Sequence, residues 1–390
     1  MYEEELFKAV KNNDIEKVKK LVEYGTDIND KNYKDETALF IALEKGYLEI
    51  VKYLVENGTD VNAKCHAKTA LIIALQNGYL EIVKYLVEHV ADINAKDFCN
   101  SSALISAAVY NHLEIVKYFI EEKEMDINHA YGNGWTVLMT ACDNGHLNIV
   151  KYLIEHGANI NAKTNHGSTV LMEASYGSRF ANLETVKYLV EEKGMDINHA
   201  DDKGWTALTC SITGKSFGIF KYLVEHGANI NVKDKYGKTV LDLAFSLEVH
   251  TYRQLKEYLE IVKYLLDKDV DINVENEFRL NDLIVKASGW GDLELVKCLL
   301  DKGVDINSKD SGSDTALMRA CYYEKLEVVK YLIKNGADVN IKNDNGKTAL
   351  NRAEPYIGSS ICFIGFGEKI DISRETIDEI VKILIEAVAK

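Results

Sequence analysis

One proline, Pro355, stands in 390 residues. Proline breaks helix interiors, so its near absence points to helix almost throughout. No run of 18 apolar residues is present, which excludes a membrane-spanning helix. A secretory leader is not expected either, because MYEEELFKAV opens acidic rather than basic and then apolar. Seven scattered cysteines, an odd number, do not make a disulfide framework. A cytoplasmic protein with reduced thiols is the expectation, and delivery into a host cell by a non-classical route is compatible with it. Positive charge is also short: 46 Lys and Arg face 61 Asp and Glu, a net −15. That balance argues against nucleic acid, whose binding rests on Lys and Arg neutralising phosphates, and against acidic membranes.

What is present is a period. Aligned on one triplet, the chain reads Thr37-Ala38-Leu39, Thr69-Ala70-Leu71, Ser102-Ala103-Leu104, Thr136-Val137-Leu138 and Thr169-Val170-Leu171. It continues with Thr206-Ala207-Leu208, Thr239-Val240-Leu241, Thr315-Ala316-Leu317 and Thr348-Ala349-Leu350. Asp282-Leu283-Ile284 is a degenerate member, and Glu4-Glu5-Leu6 fits as an N-terminal cap, giving eleven units. In each, a Thr or Ser N-cap opens a short inner helix. A second helix of the LEIVKYLVE type follows, with a broad apolar face. A glycine often ends it, as in EHGANIN. Then come Asp/Asn-Ile/Val-Asn and a turn such as KDKYGKT or KNDNGKT.

These units resemble the ankyrin repeat, whose pattern is a Gly turn, Thr-Pro-Leu-His, Ala-Ala, Gly-His, Ile-Val-x-x-Leu-Leu and Gly-Ala-x-x-Asn. Ala or Val (Leu in the degenerate unit) replaces the family's Pro, and the His varies. The Lys, Tyr, Ile and Asn bias resembles arrays from bacteria and large viruses. The resemblance implies an all-α solenoid of stacked helix-turn-helix units with β-turn fingers, curved and elongated. Each unit buries its apolar face only against its neighbours, so one array over 1–390 is expected in place of the two or three domains suggested by length. At 8–10 Å per helix layer it would span roughly 100 Å. Residues 1–34 form the N-terminal capping repeat, 35–347 the central repeats, and 348–390 a C-terminal capping repeat with an insertion at 354–375.

Repetition separates scaffold from site. Tyr53, Tyr85, Tyr118, Tyr152, Tyr188, Tyr222, Tyr264 and Tyr331 all follow a Lys in the second helix and read as packing residues. His89, His156 and His226 share one slot, His112 and His146 a second, His129 and His199 a third, and none suggests a metal. In the family, the finger tips and one face of the inner helix form the concave surface. Its variable slots here hold Tyr33, Phe98, Tyr110, Trp135, Tyr176, Trp205, Tyr236, Phe278, Trp290, Tyr322 and Tyr323, with all three tryptophans among them. Asp143, Lys203, Lys238 and Arg279 are the charged members chosen with them as partner-binding residues. Across all the slots, Lys11, Lys34, Lys45, Lys68, Lys235 and Lys347 join the basic side, against Glu36, Glu44, Asp143, Asp202, Asp314 and Asp344. A face near neutral or slightly basic is predicted, suited to an acidic partner; a solvated mixed-charge face is the plainer alternative.

Three irregularities interrupt the array. SYGSRFANLE adds about three residues after Thr169 and holds Tyr176 and Arg179, and FSLEVHTYRQLKEYLE adds about nine after Thr239, lengthening one or both helices. The third, EPYIGSSICFIGFGEKIDISRE, carries the apolar run from Ile361 to Phe366, which seals the end of the stack or binds. No phosphate-cradling or nucleophile-elbow motif occurs, and no H-E-x-x-H. Cys142 and Cys321 take small-residue slots and should be buried. Cys65, His66 and Cys99 lie in neighbouring turns without zinc spacing. The expectation is a monomeric, non-enzymatic module that binds another protein in its groove, possessing no cofactor, metal, nucleic-acid or membrane role. The alternative is a small-molecule or nucleotide binder with an aromatic and lysine clamp.

Overall fold

The computed structural model describes residues 2–65, 68–89, 91–93, 102–177, 183–247, 252–268, 270, 274–353, 361–363, 369–371 and 374–389. For 252–257, 274–275 and the two strands the description is of backbone alone. The chain divides into two compact units, Met1–Cys210 and Ser211–Lys390.

Each unit is a stack of helix pairs. The Thr that opens an inner helix caps it: Thr37 accepts from Phe40 N–H, Thr136 from Met139 N–H and Thr315 from Met318 N–H. These oxygens satisfy donors that a helix start leaves orphaned. Thr239 goes further, with Asp242 returning a bond to the cap backbone. Behind the cap, inner helices such as Ala38–Lys45 and Ala70–Asn77 are buried over six consecutive residues. Outer helices such as Leu48–Glu56 bury only Ile50, Val51 and Leu54, which explains their one-sided pattern. Gly157, at φ +91°, takes the left-handed position that ends an outer helix.

Three departures from the regular unit have local causes. In the repeats ending EKEMDIN and EKGMDIN, the outer helix finishes in a wider turn, with Lys123 and Lys193 N–H reaching back five residues to Tyr118 and Tyr188 O. The insertion after Thr239 lengthens the outer helix: Tyr252–Asp267 has 16 residues where Leu48–Glu56 has nine. Third, the degenerate unit does not start its helix at Asp282. One helix runs from Val274 to Trp290, because VENEFRLND contains no glycine or proline to make a finger. At the C-terminus, Ile361–Phe363 pairs antiparallel with Lys369–Asp371, and the last helix is Arg374–Val388.

Candidate functional site

The recurrent residues prove to be fasteners. Tyr118, Tyr152, Tyr188 and Tyr222 are buried, and Tyr85 donates from Oη to Lys52 O one repeat earlier at 3.3 Å. His89, His156 and His226 each stack on the tyrosine four residues before, with ring centroids 4.0–4.1 Å apart. His112 and His146 place Nε2 at 3.1 and 2.9 Å from carbonyls of the preceding repeat, Gln76 O and Val109 O. The Asp-x-Asn motif is a ladder. Asp27 Oδ1 accepts from Asn29 N–H at 2.9 Å, and Asn29 Oδ1 accepts from Asp60 N–H of the next repeat at 3.2 Å. Asn128 and Asn307 repeat the second bond at 2.7 and 2.8 Å.

Trp135 shows how the variable slots are built. Its backbone closes the finger with Tyr131, and its indole Nε1–H donates to Thr140 Oγ1 at 2.9 Å. The slot just before the cap therefore lies beside the fifth residue after it, along the first turn of the inner helix. Ser168 and Glu173 hold the same relation, with Ser168 Oγ donating to Glu173 Oε1 at 2.5 Å. Asp314 and Arg319 make a third such pair at 3.6 Å. Trp135 is thus half-buried against its own repeat, and Trp205 is half-buried as well.

Glu173, Ser168 and Thr140 were not among the sequence-derived candidates. Burial, with Asp143 and Asp201 nearby, drives the Glu173 carboxyl up to about 7, against the opposing bond from Ser168. Burial also raises Asp143 above the usual carboxylate range. The signal was available: the fourth position after the cap is Ile41, Ile73, Ser106 and Thr140 in earlier repeats, then abruptly Glu173.

Other candidates scatter by environment. Tyr33 and Tyr236, at finger tips, are 88% and 74% exposed, each with a neighbouring lysine over the ring. Tyr110, Tyr176 and Phe278 are exposed, as are Lys203 and Lys238, while Asp143, Arg279 and Trp290 are half-buried. Phe278 and Arg279 belong to the long helix Val274–Trp290 rather than to a finger, for the reason given above. Phe98 and Arg179 fall outside the described residues, as do His66 and Cys99. Cys65 is buried and directs its thiol at Asp35 O, 3.2 Å away. Cys142, Cys210 and Cys321 are buried as well, which pushes their thiols up and leaves little thiolate at neutral pH.

In the second unit the same slots hold paired charge. Asp314 is 2% exposed, not displayed on the surface as its slot suggested. Its Oδ1 accepts from Arg352 Nη2 at 2.6 Å and from Asn343 Nδ2 at 2.8 Å. Arg319 also pairs with Asp310. Arg352 lies 5.4 Å from the ring centroid of Tyr322, which meets Tyr323 edge-on at 4.9 Å. Gly289 is required for this approach, since a Cβ there would lie 2.8 Å from Arg319 Cγ.

Stacked helix pairs joined by finger turns define a helical-repeat protein. The model for ankyrin repeats matches residues 6–97, 104–201, 171–276 and 283–362, so the chain belongs to the ankyrin-repeat family. Alpha-latrotoxin-Lg1a of Latrodectus geometricus is 29% identical over 192 residues, 41% of this chain and 14% of the toxin. Ankyrin repeat protein L86 of Acanthamoeba polyphaga mimivirus is 32% identical over 131 residues, 30% of this chain and 22% of the relative. R664 of the same virus is 34% identical over 95 residues, 24% of this chain and 58% of the relative. The chain thus spans less than two thirds of each of these relatives. Ankyrin repeats are in general protein–protein interaction modules, and their fold is a non-enzymatic one. No helix among the described residues is long and apolar enough to cross a membrane.

Proposed function

We propose that this chain is a non-enzymatic module that binds a partner protein along its fingers and inner helices, sequestering or inhibiting it. The observation that carries the reading is the exposure of Tyr33, Tyr110, Tyr176 and Tyr236 in slots that other repeats fill with small or polar residues. Tyrosine and tryptophan bring large contact area at low entropic cost and dominate interface energetics. A rigid stack presents them pre-organised, which lowers the ordering cost of binding. Half-burial of Trp135 and Trp205 suits this role, because the seated edge fixes the ring and the free remainder meets the partner.

Affinity capture followed by mass spectrometry tests it, comparing the native chain with Trp135→Ala/Trp205→Ala/Tyr322→Ala. One protein held by the native form and lost by the variant, with circular dichroism unchanged, is the expected result. Retention of that protein by the variant places binding elsewhere. Capture of a small molecule with no protein would favour a ligand clamp.

A further inference from the structure

In three successive repeats of the first unit the slot before the cap reads Trp135, Ser168, Trp205. A side chain of one hydroxyl thus stands between two repeats that carry indoles, a gap in bulk between its neighbours. The fingers bearing them are tied in register, Asn165 N–H to Asn133 O at 2.8 Å and Asp202 N–H to His166 O at 3.0 Å. Successive layers lie roughly 8–10 Å apart, so the gap is about one side chain wide. Because the Trp135 N–H is committed to Thr140, that ring has only apolar and π surface left to offer. The floor is Glu173, held by Ser168. Asp143 on one neighbouring repeat and Asp201 on the other add negative potential to it. Among the described residues, neither Glu173 nor Asp143 forms an ion pair. Tyr176, three residues on from Glu173, is exposed on the same helix.

Aromatic faces attract a cation placed within about 6 Å of the ring, and a carboxylate without a counter-ion completes the attraction. The net charge of −15 draws basic surfaces to the chain in the first place. We propose that the trough between Trp135 and Trp205 receives a lysine or arginine side chain of the partner protein, its cation over Glu173. This rests on the protein-binding reading and specifies what the partner must present there: a basic side chain, not the acidic surface that the slot charges alone suggested.

Panning a phage library of random 12-residue peptides against the full chain tests the proposal. The expected result is Lys and Arg enriched about threefold or more among bound peptides. That enrichment is lost in Glu173→Gln and, separately, in Trp135→Leu/Trp205→Leu, with circular dichroism unchanged in both. Basic peptides that bind all three proteins equally would reflect overall charge, and would overturn the trough. Neutral or acidic peptides lost only in the tryptophan variant would overturn it while leaving the protein-binding reading intact. No enrichment of any peptide would remove both. Glu173→Gln keeps the shape and takes away a carboxylate that burial disfavours, so failure to fold does not obscure the outcome.

Discussion

The slots before and after the Thr cap carry opposite solutions in the two units. Around Arg319 and Arg352, the carboxylates of Asp310 and Asp314 are covered, and each is matched by a guanidinium; Asn343 donates a further bond to Asp314. Around Trp135 and Trp205, Glu173 and Asp143 have no cation beside them among the described residues, and burial raises both carboxyls. One backbone therefore serves two ends. A slot pair filled with opposite charges closes on itself and holds successive repeats together. A slot pair that holds an acid without a matching cation, between repeats that carry indoles, bears an electrostatic cost in the free protein, which a partner can relieve.

Removing the matched charge should give the largest effect. Asp314→Ala leaves Arg352 partly buried without its carboxylate and Arg319 with Asp310 alone, and a destabilisation of about 2–4 kcal/mol is expected. Urea unfolding followed by Trp290 emission, in a Trp135→Phe/Trp205→Phe background, reads this unit. A loss under 0.5 kcal/mol would mean that the arginines swing out to water, and that the closed network is no more than a surface pair.

The mirror experiment has the opposite sign. Glu173 titrates near 7 in the folded chain against an ordinary value of 4.5. The folded state therefore holds a proton that the unfolded state has already released. Stability falls as pH rises from about 4.5, and the full cost is present once pH passes about 7. Glu173→Gln removes that cost, so it should stabilise the chain by about 1–3 kcal/mol at pH 8 and by almost nothing near pH 4.5. A midpoint shift of equal size at both pH values would assign the gain to packing instead.

Between these extremes sits the Asn ladder, which both units share and which should not distinguish them. Asn29→Ala and Asn307→Ala each delete one bond to the next repeat and should each cost about 1 kcal/mol. Hydrogen exchange at Asp60 and Asp338 N–H, the donors left without acceptors, should report equal loss of protection in the two units.

Most of the scaffold was legible because it is written locally. The Thr cap, the apolar stripe and the closing Gly act within a few residues of themselves, so period and composition reveal them. The wider turns at Lys123 and Lys193 were marked only by an extra residue before Met125 and Met195. The helix from Val274 was obscured because register with the other repeats favoured Asp282, while the missing finger residues were the better guide. The site was less legible. A variable slot can be recognised from sequence, but whether its side chain stands out, as Tyr33 does at a finger tip, or folds onto the helix, as Trp135 does on Thr140, depends on what lies beside that slot. Asp314 looked like surface acid because its partner Arg352 lies 38 residues away.

The smallest effect sharpens the comparison from below. Lys187 and Glu184 pair at 2.9 Å on an outer helix, three residues apart, with Glu184 exposed and Lys187 partly so. Water screens such a pair, and holding two long side chains together costs entropy that offsets much of the attraction. Glu184→Gln should therefore change stability by less than about 0.5 kcal/mol, and raising the salt to 1 M should erase even that. The contrast with Asp314→Ala then rests on desolvation, since both changes delete one carboxylate at hydrogen-bonding distance from a cation. Equal losses at the two positions would show that the pairing in the second unit owes nothing to its burial, and the distinction between a closed slot and an open one would fall with it.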